Sequence, residues 1–149
     1  MLTMHAADEV RRTWDDPEPI KDGAVVVDGT RVRAVGPAED LRLRFPGARV
    51  RQWSGVLGPG RVHEGPLPDA PSPREQVHAV LKSGAVAILR QHANTPELRS
   101  AAERNHVSIL PHPAPPVLAE AGRADLAVYD GAGVCTATVC AGRLVHRRR

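Results

Sequence analysis

The sequence predicts a mainly β fold with an α/β insertion: a small composite β-sandwich made from both chain ends, plus one short βαβ unit. Three observations predict it. An apolar run at 24–27 and an alternating run at 31–35 flank Asp28-Gly29, a strong hairpin signal. A second group of short strands, between 125 and 146, is punctuated by Asp130-Gly131, Gly133 and Ala141-Gly142. Between these ends the periodicity changes, and segments of helical spacing alternate with short apolar runs, the pattern of parallel strands joined by a helix.

Each element follows in order. Leu2, Met4 and Ala6 alternate well enough for a first strand, and Asp15, Asp16, Pro17 and Pro19 then form a turn. The hairpin comes next and stops at Gly36-Pro37. Residues 38–45 place Leu41, Leu43 and Phe45 among charges and read as a short helix before the Pro46-Gly47 turn. A strand at 48–53 precedes the glycine-punctuated stretch 55–60, which reads as chain leaving a small sheet.

Pro66, Pro68, Pro71 and Pro73 mark 61–73 as an extended linker. Val77, Val80 and Leu81 then have helical spacing over 73–82, and Ser83-Gly84 ends that helix. Residues 85–89 form a buried strand. Thr95 is a good N-cap, with Pro96 at the first helical position and Glu97 in the first turn, so 96–105 is a second helix. A strand at 107–110 completes the unit, and prolines break the chain at 111–116. The expected domains are therefore a discontinuous sandwich, 1–60 with 112–149, and an insertion over 61–111.

Composition narrows the function classes. The chain of 149 residues is one domain by length, and its hydrophobic share of 42% is ordinary for a globular chain. Aromatics make up only 3%, so Val, Leu, Ala and Ile must build the core. The net charge of +3 comes from arginine, since Lys21 and Lys82 are the only lysines. Neighbouring acids break up the arginine clusters except at Arg147, Arg148 and Arg149, which read as a solvated, frayed tail rather than a nucleic-acid contact. No apolar run approaches the ~20 residues of a membrane span. Asp8, Glu9, Arg11 and Arg12 stand where a signal peptide would be apolar, so the cytoplasm is the expected compartment. Cys135 and Cys140 are expected on opposite faces of one strand, unable to bond to each other.

Both ends also carry a likeness. The segments 22–29, 32–36 and Gly55-Val56-Leu57-Gly58-Pro59-Gly60 resemble the opening of amidohydrolases of the imidazolonepropionase and aminodeoxyfutalosine deaminase type. Segments 122–130 and 138–145 are similar to their closing strands. The resemblance implies a composite β-sandwich lying outside a (β/α)8 barrel. It also implies that the Gly-Pro-Gly turn leads into a first barrel strand ending in a His-x-His pair that binds a divalent metal. Here that run is Gly60-Arg61-Val62-His63-Glu64-Gly65, with His63 where the pair should begin and Gly65 in its partner's place. Glycine supplies no ligand. The barrel itself needs about 250 residues, and the stretch 61–121 is far shorter, so most of the barrel is expected to be missing.

Five histidines, His63, His78, His92, His106 and His112, fall within the insertion, without the i, i+4 helical spacing that signals zinc. The best candidate metal set is His63, His92 and His112, beside Glu64, because strand ends of a parallel unit share one rim. The serines lack a Gly-x-Ser-x-Gly setting, and neither cysteine has a CxxC partner. The expected function is a non-catalytic, amidohydrolase-related binding or scaffolding module without a cofactor. The alternative is a residual hydrolase of carbon–nitrogen bonds using zinc or iron. The surface left by the missing barrel is expected to be covered by the insertion, by a second copy in a homodimer, or by both.

Overall fold

The computed structural model describes residues 1–148. Both layers of the sandwich come from one seven-stranded sheet. Its strands are β1 (Leu2–Val10), β2 (Ile20–Asp28), β3 (Arg31–Pro37), β4 (Arg49–Pro59) and, from the far end of the chain, three more. A second, three-stranded sheet lies between: β5 (Arg61–His63), β6 (Ala85–Leu89) and β7 (Ser108–Leu110). The closing strands are β8 (Leu126–Tyr129), β9 (Cys135–Cys140) and β10 (Arg143–Arg147). The large sheet has the order β10-β9-β8-β4-β1-β2-β3, so the two chain ends join through β4.

Strand β4 runs parallel to β1 along most of its length and antiparallel to β8 over its last residues. The expected exit at 55–60 is therefore a continuation of the strand. Gly55 makes this continuation possible: its φ is +101°, and a Cβ there would collide with the Tyr129 carbonyl. The pairing of β1 with β4 slips at the same place, a bulge that bends the sheet. The sheet folds over one core, in which Ala7, Val25, Val27 and Val32 meet Leu57, Leu126, Val128 and Val139. Backbone bonds from Val32 N to Gly122 O (2.9 Å) and from Ala124 N to Thr30 O (2.7 Å) draw the two layers together at the edge of β3.

The opposite face of β1 and β2 is covered by α1 (Ala38–Arg44), whose Ala38 and Leu41 pack on Met4, Ala24 and Val26. The hairpin forms as expected, but Asp28 pairs with Arg31, so Gly29-Thr30 is the turn. Gly29 takes the positive φ this requires.

The insertion corrects the sequence reading in one respect. Residues 61–63 are not linker but a strand that pairs parallel with β6, as β7 does on the other side. Three residues are too few to show periodicity, and the prolines begin only at Pro66. The unit is thus β5-α2-β6-α3-β7, with α2 (Pro73–Lys82) and α3 (Pro96–Arg104). Both helices start where expected: the Ser72 hydroxyl accepts from Glu75 N and the Thr95 hydroxyl from Leu98 N. Val77, Val80 and Leu81 of α2 and Leu98, Ala101 and Ala102 of α3 close over Val86 and Ile88.

This unit docks on the sandwich. Cys140 joins its core and Val145 packs against it, and the Thr138 hydroxyl donates to Leu81 O at 2.7 Å. Tyr129 Oη–H donates to Ser83 O at 2.8 Å, and Gly60 N bonds Asp125 O at 2.9 Å. On the far face of β6, Ala87 and Leu89 are only 5% and 4% exposed. The insertion therefore supplies part of the expected cover within the chain, over Thr138, Cys140, Val145 and Tyr129.

Two further readings change. A register slip in the β8–β9 pairing shifts the alternation of β9, and Cys135 Sγ lies 3.4 Å from Thr138 Oγ1 on the side that faces the insertion. Cys135 and Cys140 thus point the same way, both buried and free. The C-terminal arginines are also not a frayed run: Arg147 ends β10 with its guanidinium over Trp53, and Arg148 N bonds Thr136 O at 2.8 Å. Arg149 lies outside the described residues.

Candidate functional site

A parallel sheet gathers the carboxyl ends of its strands on one rim, and that rim is where an α/β fold keeps its chemistry. Here it carries all three candidate ligands. His63 is the last residue of β5, His92 closes the short 3-10 turn after β6, and His112 follows β7 by two residues. The sequence reading brought His92 and His112 to this rim through their strands. The strand at 61–63 adds His63 by the same logic.

Sharing a rim does not make a metal centre. His63 is level with Ile88 and Ile109, the residues over which the helices pack, while Val62, Ala87 and Ser108 share the opposite face. In a barrel the helices lie outside, so a ligand must belong to the second set. The His63 ring is occupied locally, with Nε2 donating to Pro66 O at 2.8 Å. His92 Nε2 lies 3.3 Å from the amide nitrogen of its neighbour Gln91. His112 is exposed between two prolines. Among the described residues no group of three or more His, Cys, Asp or Glu side chains is placed to hold a metal ion. The donor set on this rim therefore does not fit the metal that the family resemblance implies. His78 on α2 and His106, two residues beyond α3 with a φ of 60°, are both exposed.

Polar chemistry is instead concentrated at the seam between sandwich and insertion. Arg123 Nε donates to both carboxylate oxygens of Asp125, at 3.0 and 2.8 Å, and Asp125 Oδ1 also accepts from Ala141 N. Arg123 Nη2 reaches Cys140 Sγ at 3.4 Å. Burial pushes the Cys140 thiol up to about 11, against the opposing pull of Arg123. That thiol is a packed, inert group that donates to His106 O at 3.4 Å.

A second cluster was not visible in the sequence. Trp14, Arg61 and Tyr129 come from a turn, the start of β5 and the end of β8, positions too far apart for any spacing rule. The two rings meet edge to face at 5.3 Å, and the Arg61 guanidinium lies 4.2 Å from the Trp14 ring centre and 5.0 Å from that of Tyr129. Trp14 Nε1–H donates to Pro59 O at 2.9 Å, which fixes the indole. A faint signal did exist: in a chain this poor in aromatics, a tryptophan in a polar turn is out of place.

Residues 23–48, the hairpin and α1, match the family model described as the imidazolonepropionase-like composite domain of bacteria. No curated protein matches the sequence. Among solved structures, the aminofutalosine deaminase of Helicobacter pylori superimposes with a TM-score of 0.56 at 17% identity, over 73% of this chain and 32% of that one. Over residues 23–48 the chain is thus similar to that composite domain, and over most of its length it shares the fold of this deaminase's corresponding part.

The likeness to other solved structures is of the same kind. A guanine deaminase from Bradyrhizobium japonicum gives a TM-score of 0.57 at 17% identity, over 73% of this chain and 34% of that one. A zinc-bound adenosine deaminase from Xanthomonas campestris gives 0.57 at 17% identity, over 72% and 33%. At such identities the likeness is one of fold. The chain spans about a third of the length of these structures.

Proposed function

We propose that this chain is a non-catalytic, amidohydrolase-related module that binds rather than hydrolyses. One observation carries the reading: the strand corresponding to the first barrel strand ends in a single histidine, His63, aligned with the helix-covered face and followed by Gly65. Metal-assisted hydrolysis needs two or more donors converging on one ion, with a position left open for water. The β5-α2-β6-α3-β7 unit, packed on the sandwich through Thr138, Tyr129 and Cys140, acts in this reading as a structural layer.

The competing reading is a residual hydrolase of carbon–nitrogen bonds, favoured by the placement of His63, His92 and His112 on one rim. Metal analysis of protein purified without a histidine tag separates the two. The binding-module reading expects substoichiometric zinc and iron, and no ammonia released from guanine or adenosine, the substrates named by the structural neighbours. Stoichiometric zinc or iron that is lost in His63→Ala would overturn it.

A further inference from the structure

We propose that the cleft at Arg61 is a binding site for a small monocarboxylate with a flat apolar body. The proposal deepens the binding-module reading and rests on it. The chain has one tyrosine, one phenylalanine and two tryptophans, and Trp14 and Tyr129 are spent together on a half-exposed surface rather than in a core. Partly exposed aromatics around an arginine have the composition of a binding surface. A cleft of about 400 Å³ opens beside them, walled by Trp14, Val62 and the proline segment 113–116, with Arg61 and Glu64 as its charged groups. A second cleft, lined by Tyr129 and Arg11, meets the first at the same Trp14 and Arg61.

The chemistry of the ligand follows from these walls. No carboxylate lies within salt-bridge distance of Arg61 among the described residues, whereas Arg11 is held by Glu9 at 2.7 Å and Arg123 by Asp125. Packing against two rings restricts the guanidinium, and its planar fork of N–H donors suits a carboxylate. Proline, valine and indole surfaces suit a flat apolar body. Glu64 repels a second negative charge, which selects a monoanion over a phosphate dianion.

The test follows the Trp14 indole N–H by ¹⁵N-correlated NMR of the full chain during titration with benzoate, benzamide or inorganic phosphate. Saturable shifts at Trp14 with benzoate, and at least tenfold weaker ones with benzamide and phosphate, are expected. Arg61→Gln should weaken benzoate at least tenfold with the remaining spectrum preserved, and Glu64→Gln should tighten it. Equal responses to benzoate and benzamide, an unchanged Glu64→Gln affinity, or shifts confined to Trp53 would each overturn the proposal. Because metal content is measured separately, failure of the titration leaves the non-catalytic reading standing, whereas stoichiometric metal overturns that reading whatever the titration gives.

Discussion

At the scale of single residues, His5 is the most consequential ionisable group. It is 3% exposed, accepts a hydrogen bond from Trp53 Nε1 at 3.1 Å and stacks on that ring. Burial, aided by the neighbouring positive charge of Arg51, lowers its pKa from 6.5 to about 4. Above pH 6.5 the histidine is neutral in both folded and unfolded chains, and stability is at its full value. Between 6.5 and 4 the unfolded chain takes up a proton that the folded chain refuses, so stability falls with pH, by about 3 kcal/mol over the whole window. Denaturant titrations from pH 7.5 to 4 should show this slope, and His5→Gln, which keeps an acceptor for Trp53, should flatten it. An unchanged slope in His5→Gln would assign the effect elsewhere. None of this was legible in the sequence, where His5 is one polar residue in an alternating strand.

At the scale of elements, α3 shows local chemistry deciding structure. The Thr95 hydroxyl meets Leu98 N at 3.1 Å, Pro96 pre-sets the first helical φ, and Leu98, Ala101 and Ala102 bury one face. Thr95→Ala should cost about 1 kcal/mol, read as a lower denaturation midpoint with an unchanged slope. Helix α2, capped by Ser72, was legible for the same reason. Strand β5 was not, because its pairing partners Ala85, Ala87 and Ile88 lie more than twenty residues along the chain and three residues carry no pattern. The β9 cysteines show the same limit: a slip in the β8–β9 register reversed a parity that the sequence could only count through.

At the scale of the molecule, the bonds across the seam predict that sandwich and insertion unfold as one cooperative unit. Thr138 is 0% exposed, and its hydroxyl satisfies Leu81 O near the end of α2. Gly84, at φ +94°, lets that turn approach Tyr129 so closely that a side chain would strike its hydroxyl. Both tryptophans lie in the sandwich portion, while α2 and α3 dominate the helical signal. Tryptophan fluorescence and far-ultraviolet circular dichroism should therefore report coincident unfolding. Thr138→Val removes this hydroxyl donor and leaves Leu81 O to the backbone N–H of Gly84, so both midpoints should fall together, by the equivalent of about 1 kcal/mol of stability. Separate transitions would show that the two parts fold independently.

The sequence by itself determined the hairpin, the capped helices, the closing meander and the composite-domain likeness of the opening segment. It also determined that Gly65 supplies no ligand beside His63. Each of these rests on neighbours a few residues apart, where side-chain chemistry and backbone preference act directly. Only the tertiary structure decided that one sheet supplies both layers of the sandwich and that β5 joins the parallel sheet. It also decided that His63 faces the helices and that Trp14, Arg61 and Tyr129 meet at a single cleft. Those outcomes depend on strand register and on packing between segments about 24 to 115 positions apart, and no local preference encodes them.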